Sequence, residues 1–514
     1  MKRYILLIVI VLLGLALRLY HLDSRPVGFT WDEAALGYNA YSLLKTGKDE
    51  HGKILPVVFK SFGDYKPGFY IYLTVPTIKI FGLSEFATRL PSAIFGTLTI
   101  IIVYLLCIYL TPNPSPKLGE GNARGEVFGL CSALLFSINP WSIHFSRGAW
   151  EANIALFLTT LAVLCFIKAS KNLTSKTNFY LLSSTFFALS LWTYQGAKMF
   201  TPLLVIALFL IYKPNIKKLI LPAVLGLVML VPLILNFGSQ SGRLKVFSVF
   251  SYSGDLVRGI TQRYLNHLSP KYLFISGDWS NIRHSIPYYG YFHLPEIITI
   301  LMGLVILIKA KNQTTKLLVA WILLAIIPSA LSRDIVSGVR SLPMLIPLVI
   351  MSGIGLSKLK VFYSPTLLLS LILFIDLYLI HSPNFVAKDM MYGYKQALQI
   401  VEPYLKDYNR VIFTDKLGQP YIYTLFYYKI DPASYQNQAN LILDSQGDVG
   451  KVERWDKFWY QKPNWRNQRG DSSTIFVGDN FELPEQDMNP VNLVRLGEVY
   501  YPNGKHALRI VALK

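Results

Sequence analysis

The sequence predicts a polytopic α-helical membrane protein with about eleven transmembrane helices and a small C-terminal extracytoplasmic α/β domain. Of its 514 residues, 52% are hydrophobic and only 16% are charged, whereas roughly a quarter of the residues in an average soluble protein are charged. Apolar runs separated by short basic clusters recur as far as residue 381. These observations exclude a soluble globular enzyme, a disordered chain and a fibrous repeat.

Eleven apolar runs are long enough to be interpreted as membrane spans, since about 20 helical residues cross a bilayer. The first run also has the form of a signal peptide, because Lys2 and Arg3 precede it. No small-x-small cleavage site follows it, so we favour a retained span. The predicted spans cover approximately 4–20, 88–110, 127–145, 152–168, 179–194, 199–212, 219–236, 294–309, 317–331, 341–356 and 364–380.

The orientation of the chain follows from the lysine and arginine bias of the short connections. When all basic connections are placed in the cytoplasm, successive connections alternate consistently between the two sides of the cell membrane. The N-terminus is then inside, and the tail after residue 381 is outside. The net charge of +20 then reflects cytoplasmic loops, and no nucleic-acid partner is implied. The basic connections carry Lys2/Arg3, Lys117/Arg124, Lys168/Lys171/Lys176, Lys213/Lys217/Lys218, Lys309/Lys311/Lys316 and Lys358/Lys360.

This topology predicts a membrane module of residues 1–382 with two long outer loops, 21–87 and 237–293. The segment from Pro67 to Gly82 is apolar but contains Pro76 and Lys79, which favours a helix at the membrane interface. Residues 383–514 differ in composition and predict a small extracytoplasmic α/β domain. Its expected elements are a helix over 394–408, strands over 410–414 and 473–477, and a hairpin of 493–500 with 507–513.

Two adjacent carboxylates, Asp32 and Glu33, follow the first span at the predicted outer face. Carboxylates so close to hydrocarbon are costly unless they are solvated or paired, so they mark a candidate functional site. An acidic N-terminus for a helix that begins near Ala34 also explains them, and the two interpretations are compatible. Glu151 adds a second acidic position on the same side.

Basic residues recur at the outer ends of other spans, where the positive-inside rule disfavours them. An anionic partner such as a lipid phosphate would offset their charge through charge-assisted hydrogen bonds. Pairing with nearby carboxylates is the alternative for any single one. The basic residues are Lys66, Arg89, Arg147, Lys198 and Arg340, and the nearby carboxylates are Asp64, Glu85, Glu151 and Asp334.

The second outer loop places Asp278 close in sequence to Arg283 and His284, with His267 and His293 on either side. Two of these histidines with Asp278 would suit a metal ion, but no histidines have the spacing of helical metal ligands. We therefore predict no resident metal and leave a divalent-cation requirement open. The sequence also contains no Walker A loop, no dinucleotide fingerprint and no nucleophile elbow.

These residues, in their order along the chain, resemble the GT-C superfamily. The similarity is to the protein O-mannosyltransferase and aminoarabinose-transferase branch, the phospholipid-carrier-dependent glycosyltransferases. The matching motifs cover the whole membrane module. They are Arg18-Leu19-Tyr20-His21-Leu22, Trp31-Asp32-Glu33, Lys66-Pro67, Ser84-Glu85 through Arg89-Leu90-Pro91-Ser92, Ser146-Arg147 through Glu151-Ala152-Asn153, Thr193-Tyr194 through Lys198, Ser276-Gly277-Asp278 with Arg283-His284, and Arg340 through Pro347.

The resemblance implies an enzyme that takes a sugar from a polyprenyl-phosphate carrier and inverts the anomeric centre at the outer membrane surface. It assigns Asp32 as the base or acceptor-positioning residue, with Glu33 beside it. It implies that Lys66 and Arg340 bind the carrier phosphate together with Arg89, although Gly68 departs from the usual second proline after Lys-Pro. Further substrate-cavity positions by motif match are Glu151, Arg147, Tyr194, Lys198, Asp278, Arg283 and His284.

A lipid-linked sugar flippase or transporter is the alternative function. Transporters typically show internal repeats and charged or broken helices near the midplane, whereas the ionisable residues here gather at the outer rim, with Asp376 as the main exception. A non-catalytic anchor would leave the rim arginines unexplained. We therefore expect a hexosyl- or pentosyltransferase whose acceptor is a glycan, a lipid or a protein.

Overall fold

The computed structural model describes most of the chain. The described residues are 2–62, 64–111, 123–171, 176–236, 238, 248–249, 254–359, 364–438, 441–442, 450–489 and 492–514. Two residues used for the predicted orientation, Lys117 and Lys360, and most of 237–253 in the second outer loop lie outside them. The chain divides into two compact units: Met1–Leu22, Lys66–Tyr70 and Arg89–Leu377 form the first, and Asp23–Tyr65, Ile71–Thr88 and Tyr378–Lys514 form the second.

Helices dominate the part of the chain up to residue 386. A two-stranded sheet of β1 (Val58–Ser61) and β2 (Asp64–Pro67) interrupts them. The helices are α1 (Lys2–Leu19), α2 (Trp31–Thr46), α3 (Phe69–Phe81), α4 (Glu85–Leu110), α5 (Ala123–Ile138), α6 (Pro140–Arg147), α7 (Glu151–Ser170), α8 (Lys176–Leu191), α9 (Ala197–Tyr212), α10 (Ile220–Leu235), α11 (Leu256–Leu268), α12 (Glu296–Ala310), α13 (Gln313–Ala330), α14 (Leu345–Leu356), α15 (Ser364–Asp376) and α16 (Ser382–Val386).

Each of the eleven predicted apolar runs lies mostly on helical backbone. By length and apolar composition, 4 of the described helices are able to cross a membrane, or up to 5 if a bent pair counts as one span. The 4 are Glu85–Leu110, Glu151–Ser170, Gln313–Ala330 and Pro365–Val386. Helical structure is thus confirmed, whereas the count of about eleven spans stays a prediction.

The run predicted as one span over 127–145 consists instead of two helices, α5 and α6, bent by 54°. Asn139 lies at the break, and its side chain accepts a hydrogen bond from the Ser142 N–H at 3.0 Å. Pro140 follows it and has no N–H with which to continue α5, but its fixed φ suits the start of α6. Periodicity alone missed this break because apolar residues continue through it.

Buried arginines fix the C-terminal end of α1, where the last carbonyls have no intrahelical partners. The Arg147 Nη1 donates to Leu17 O at 2.7 Å, and its Nη2 donates to Tyr20 O and His21 O. The fully buried Arg18 donates to Gly14 O at 2.9 Å and to Ser142 Oγ at 2.6 Å. These contacts give Arg147 a structural task, although sequence analysis assigned it to a substrate cavity.

The second unit contains a six-stranded sheet in the order β6-β7-β3-β8-β10-β9. β3 is parallel to β7 and β8, and the β9–β10 hairpin is antiparallel. The predicted α/β domain, its strands and its hairpin are therefore present. The elements are α17 (Tyr394–Val401), β3 (Arg410–Phe413), α18 (Pro420–Tyr427), α19 (Pro432–Gln438), β4 (Leu441–Ile442), β5 (Lys451–Val452), β6 (Arg454–Trp455), β7 (Phe458–Tyr460), α20 (Trp465–Gln468), β8 (Thr474–Gly478), β9 (Leu493–Tyr500) and β10 (His506–Leu513).

Within this unit, α2, from the loop predicted to face outward, packs on α18 of the C-terminal part. A Cβ added to Gly37 would lie 2.7 Å from Phe426 Cε2, so glycine permits this close approach. The Tyr423 hydroxyl donates to Phe29 O at 2.7 Å. Residues 21–87 were predicted to belong with the membrane module, but these contacts group most of them with residues 378–514.

Candidate active site

An open hollow in the first unit brings Arg340 and Tyr194 together. Its cavity volume is only about 10 Å³, the space of roughly one water molecule, and reaches about 280 Å³ only when the open solvent beside it is included. The other walls are mainly small or apolar side chains from α7 and α9. They include Ala152, Ala155, Leu156, Ala197 and Phe200. We call this cavity the Arg340 hollow.

The Arg340 side chain is 22% exposed and lies on an irregular segment between α13 and α14. Its Nη1 donates to Asp334 Oδ2 at 2.5 Å and to Ser337 Oγ at 3.2 Å. Asp334 is itself 34% exposed, and surface ion pairs of this kind are weak. Both contacts use one nitrogen of a guanidinium with several donors, so the group retains capacity for an anionic ligand.

Tyr194 is half-buried and owes its position to Gly196. A Cβ added to Gly196 would lie 2.5 Å from Tyr194 Cε1, so only glycine allows the ring to fold back over the chain here. Lys198 follows, half-buried, in the first turn of α9. Of the predicted residues Tyr194, Lys198 and Arg340, the first and last therefore share the hollow.

The other predicted basic residues of this unit are buried. Lys66 lies on β2 and is 6% exposed. Arg89 lies on α4, is fully buried, and donates from Nη1 to Leu22 O at 3.2 Å.

The predicted acidic residue Glu151 is the first residue of α7 and is half-buried. Negative charge is favoured at this position because it lies at a helix N-terminus.

The predicted cluster of Asp278, Arg283 and His284 is present in the first unit. Asp278 is 1% exposed, and its Oδ2 lies 3.1 Å from His284 Nδ1. The carbonyl of the half-buried Arg283 lies 2.8 Å from His144 Nε2. The contacts of this cluster are therefore with other protein groups: the Asp278 carboxylate contacts His284, and the Arg283 carbonyl contacts His144.

Asp32 and Glu33, adjacent at the start of α2 in the second unit, are in different environments. Glu33 is 3% exposed and completes a capping box, because its Oε2 accepts from Thr30 N at 3.0 Å and its own N–H donates to Thr30 Oγ1 at 3.3 Å. Asp32 is half-buried. The helix-capping interpretation therefore holds for Glu33 and leaves Asp32 as the more accessible carboxylate.

We expect Thr30→Ala to lower the free energy of unfolding by about 1 kcal/mol, because it removes the oxygen that caps Glu33 N. Thr30→Ser keeps that oxygen and serves as the control. Thermal unfolding in detergent measures both variants. Equal losses for the alanine and the serine variant would contradict the capping role.

The fold matches solved structures of glycosyltransferases. The chain aligns with ArnT from Cupriavidus metallidurans bound to undecaprenyl phosphate at a TM-score of 0.56 and 13% identity, over 98% of this chain and 97% of that one. The chain has the GT-C fold. Archaeal oligosaccharyltransferase AglB from Archaeoglobus fulgidus, in complex with an inhibitory peptide and a dolichol-phosphate, aligns at a TM-score of 0.50 and 13% identity, over 83% of this chain and 64% of that chain.

A family model agrees with the GT-C assignment. Residues 8–237 match the model described as dolichyl-phosphate-mannose-protein mannosyltransferase. No curated protein sequence matches the chain. Together the family model and the GT-C neighbours support a membrane glycosyltransferase and confirm the resemblance predicted from the motifs.

Sequence analysis missed the small residues that shape the Arg340 hollow. Ala152, Ala155 and Gly196 line the Arg340 hollow, and only the spacing of Ala152 and Ala155, on nearly one face of α7, signals a shared surface. No group of three or more His, Cys, Asp or Glu side chains among the described residues is arranged to hold a metal ion. The absence of a resident metal stays a prediction, and a divalent-cation requirement stays open.

Proposed function

We propose that this protein transfers a sugar from a polyprenyl-phosphate-linked donor to an acceptor at the extracytoplasmic face of the membrane, with inversion. The Arg340 hollow is the observation that carries this proposal. Its guanidinium suits a phosphate, and its walls of Ala155, Leu156 and Phe200 suit the hydrocarbon joined to that phosphate. A polyprenyl phosphate combines these two chemistries in one molecule.

The reaction is a single displacement at the anomeric carbon. The acceptor hydroxyl oxygen forms the new bond, its proton passes to the Asp32 carboxylate, and the bond from the anomeric carbon to the phosphate oxygen breaks. The departing phosphate takes the bonding electrons, so it needs positive charge more than it needs a general acid. Arg340 would supply that charge. Lys66 and Arg89, which are buried and are not among the residues that line the hollow, have a phosphate role only by the resemblance.

Asp32 is a better candidate for the base than Glu33. The Glu33 carboxylate is buried and accepts from Thr30, so using it as a base would break the cap of α2. Asp32, at the same helix end, is half-buried and so more accessible than Glu33. Catalytic carboxylates must reach the hydroxyl whose proton they remove, and exposure favours Asp32.

The solved relatives support the donor class. ArnT was crystallised with undecaprenyl phosphate and AglB with a dolichol-phosphate, and each of these lipids is a phosphate on a long isoprenoid. We extend that lipid class to this chain. The sugar would be a hexose or a pentose, and the acceptor a glycan, a lipid or a protein.

Transfer by purified protein in liposomes tests this function. Undecaprenyl phosphate carrying radiolabelled mannose or aminoarabinose is the donor, and membrane extract supplies acceptors. Label in an acceptor, with release of undecaprenyl phosphate, is the expected result. Movement of the labelled lipid between leaflets without transfer would overturn the proposal in favour of a flippase.

We expect Gly196→Ala to lower kcat/KM for the donor about 10- to 100-fold, because the new Cβ displaces the Tyr194 ring that lines the hollow. Initial rates against donor concentration measure this. Gly470→Ala is the matched control, since a Cβ there meets no atom within 4 Å. A Gly196→Ala enzyme with unchanged donor kinetics would contradict a role for the Tyr194 side of the hollow.

A further inference from the structure

We infer that Asp278, together with His267 and Ser280, positions Arg340 by holding the backbone of the segment that carries it. This inference rests on the proposed binding of the donor phosphate by Arg340. The segment between α13 and α14 has no regular secondary structure from 333 to 341. Its buried backbone N–H groups therefore need partners other than those of a helix or a strand ladder.

Three consecutive N–H groups of this segment donate to side chains of the second outer loop. Val336 N donates to Ser280 Oγ at 3.2 Å and Ser337 N to His267 Nε2 at 3.0 Å. Gly338 N donates to Asp278 Oδ2 at 2.8 Å. These contacts fix the backbone two to four residues before Arg340.

The Asp278 carboxylate is saturated by the protein. Its Oδ1 accepts from Ser280 N at 3.0 Å and Asn281 N at 2.9 Å, while its Oδ2 faces Gly338 N and His284 Nδ1. It is 1% exposed. A carboxylate with these contacts has no face left for substrate, so Asp278 acts through the segment rather than on the sugar.

His267 is held in one tautomer by its two contacts. Its Nδ1 lies 2.7 Å from Arg263 O, which only accepts, so Nδ1 carries the proton and Nε2 accepts from Ser337 N. Burial lowers the pKa of His267 to about 4, and the ring is therefore neutral at neutral pH. A neutral ring is the state that can accept from Ser337.

The segment in turn holds the guanidinium. Arg340 Nη1 donates to Ser337 Oγ and to Asp334 Oδ2 within the same segment. Tyr291 packs behind Gly338, where a Cβ would lie 1.8 Å from the Tyr291 hydroxyl oxygen. The segment is therefore packed closely at Gly338, and the guanidinium is bound to side chains of that same segment.

A double-mutant cycle between Asp278 and Arg340 tests the inference. An asparagine at 278 has one acceptor oxygen and a donor amide, so it cannot satisfy both Gly338 N and the N–H groups of Ser280 and Asn281. We expect Asp278→Asn to lower kcat/KM for undecaprenyl-phosphate mannose or aminoarabinose about 10- to 100-fold, as for a lost hydrogen bond to a charged group. In an Arg340→Ala background the same change should cost no more than about twofold.

Two further variants separate positioning from loss of folding. Ser280→Ala removes only the bond to Val336 N, and we expect about a two- to tenfold loss that also disappears in the Arg340→Ala background. Ser285→Ala removes a bond to the Asp278 carbonyl at 3.0 Å without touching the segment, and it should leave donor kinetics unchanged. Thermal midpoints of all variants identify those that fold.

The outcomes distinguish this inference from the proposed function. If the loss of kcat/KM in Asp278→Asn or Ser280→Ala multiplies with the loss in Arg340→Ala, the positioning inference is overturned while the donor assignment stays in place. The same conclusion follows if Ser285→Ala loses as much kcat/KM as Ser280→Ala. An Arg340→Ala enzyme with unchanged donor kinetics would overturn the phosphate role of Arg340 and the positioning inference with it. Losses that vanish in the Arg340→Ala background support both.

Discussion

Asp32→Asn is expected to lower sugar transfer about 10²- to 10⁴-fold, the usual range for loss of a general base. The amide keeps the size of the side chain but cannot accept the proton of the acceptor hydroxyl. Asp32 is half-buried, so the thermal midpoint of the variant is measured alongside to show that it folds. Transfer of radiolabelled sugar from undecaprenyl phosphate under single-turnover conditions measures the chemical step directly.

Glu33→Gln is the matched control for Asp32→Asn. Its amide oxygen can still accept from Thr30 N, as the carboxylate does now at 3.0 Å, so the cap and the rate should both be retained. Donor binding, measured by displacement of labelled undecaprenyl phosphate, should stay unchanged in both variants. Full turnover by Asp32→Asn would show that another group takes the proton.

Arg340→Ala is expected to lower kcat/KM for the donor about 10²- to 10³-fold, because the developing phosphate charge loses its preorganised donors. Asp334, which is 34% exposed, can then be solvated, so the fold should tolerate the change. Arg340→Lys should recover only part of the loss, since an ammonium cannot bind a phosphate in the bidentate manner of a guanidinium. Initial rates against donor concentration report both variants.

Arg495→Ala controls for removal of a guanidinium elsewhere. Arg495 is 48% exposed and pairs with Glu485 on the surface of the C-terminal sheet, so its loss should leave donor kinetics unchanged. If Arg340→Ala and Arg495→Ala lower kcat/KM for the donor by the same factor, the loss reflects a general effect of charge. The hollow is then not the donor site.

Local sequence signals were sufficient for most of the fold. Apolar length located all eleven helical runs, and alternation with turn residues located the hairpin of β9 and β10. The break at Asn139 was missed because polar capping by one side chain leaves apolar periodicity intact. Sequence analysis also missed that most of residues 21–87 group with residues 378–514. The packing of Gly37 against Phe426 joins residues far apart in sequence, and local signals do not report such contacts.

The positions of charged residues in the sequence identified candidate site residues. They did not show which of these residues bind other parts of the protein and which line the hollow. Arg147 and Arg340 look alike in sequence, yet the first binds helix carbonyls and the second lines the hollow. Asp32 and Glu33 are neighbours, yet only Glu33 completes the cap. What decides each case is which backbone groups lie within reach, and that depends on tertiary structure.

The close packing of α2 on α18 has a practical consequence for engineering. A chimaera that exchanges only the last 130 or so residues would leave the apolar faces of α2, including Ala34 and Tyr38, without their partners. Such a hybrid is expected to aggregate. Exchanging the tail between homologous proteins therefore requires moving Asp23–Tyr65 and Ile71–Thr88 along with it.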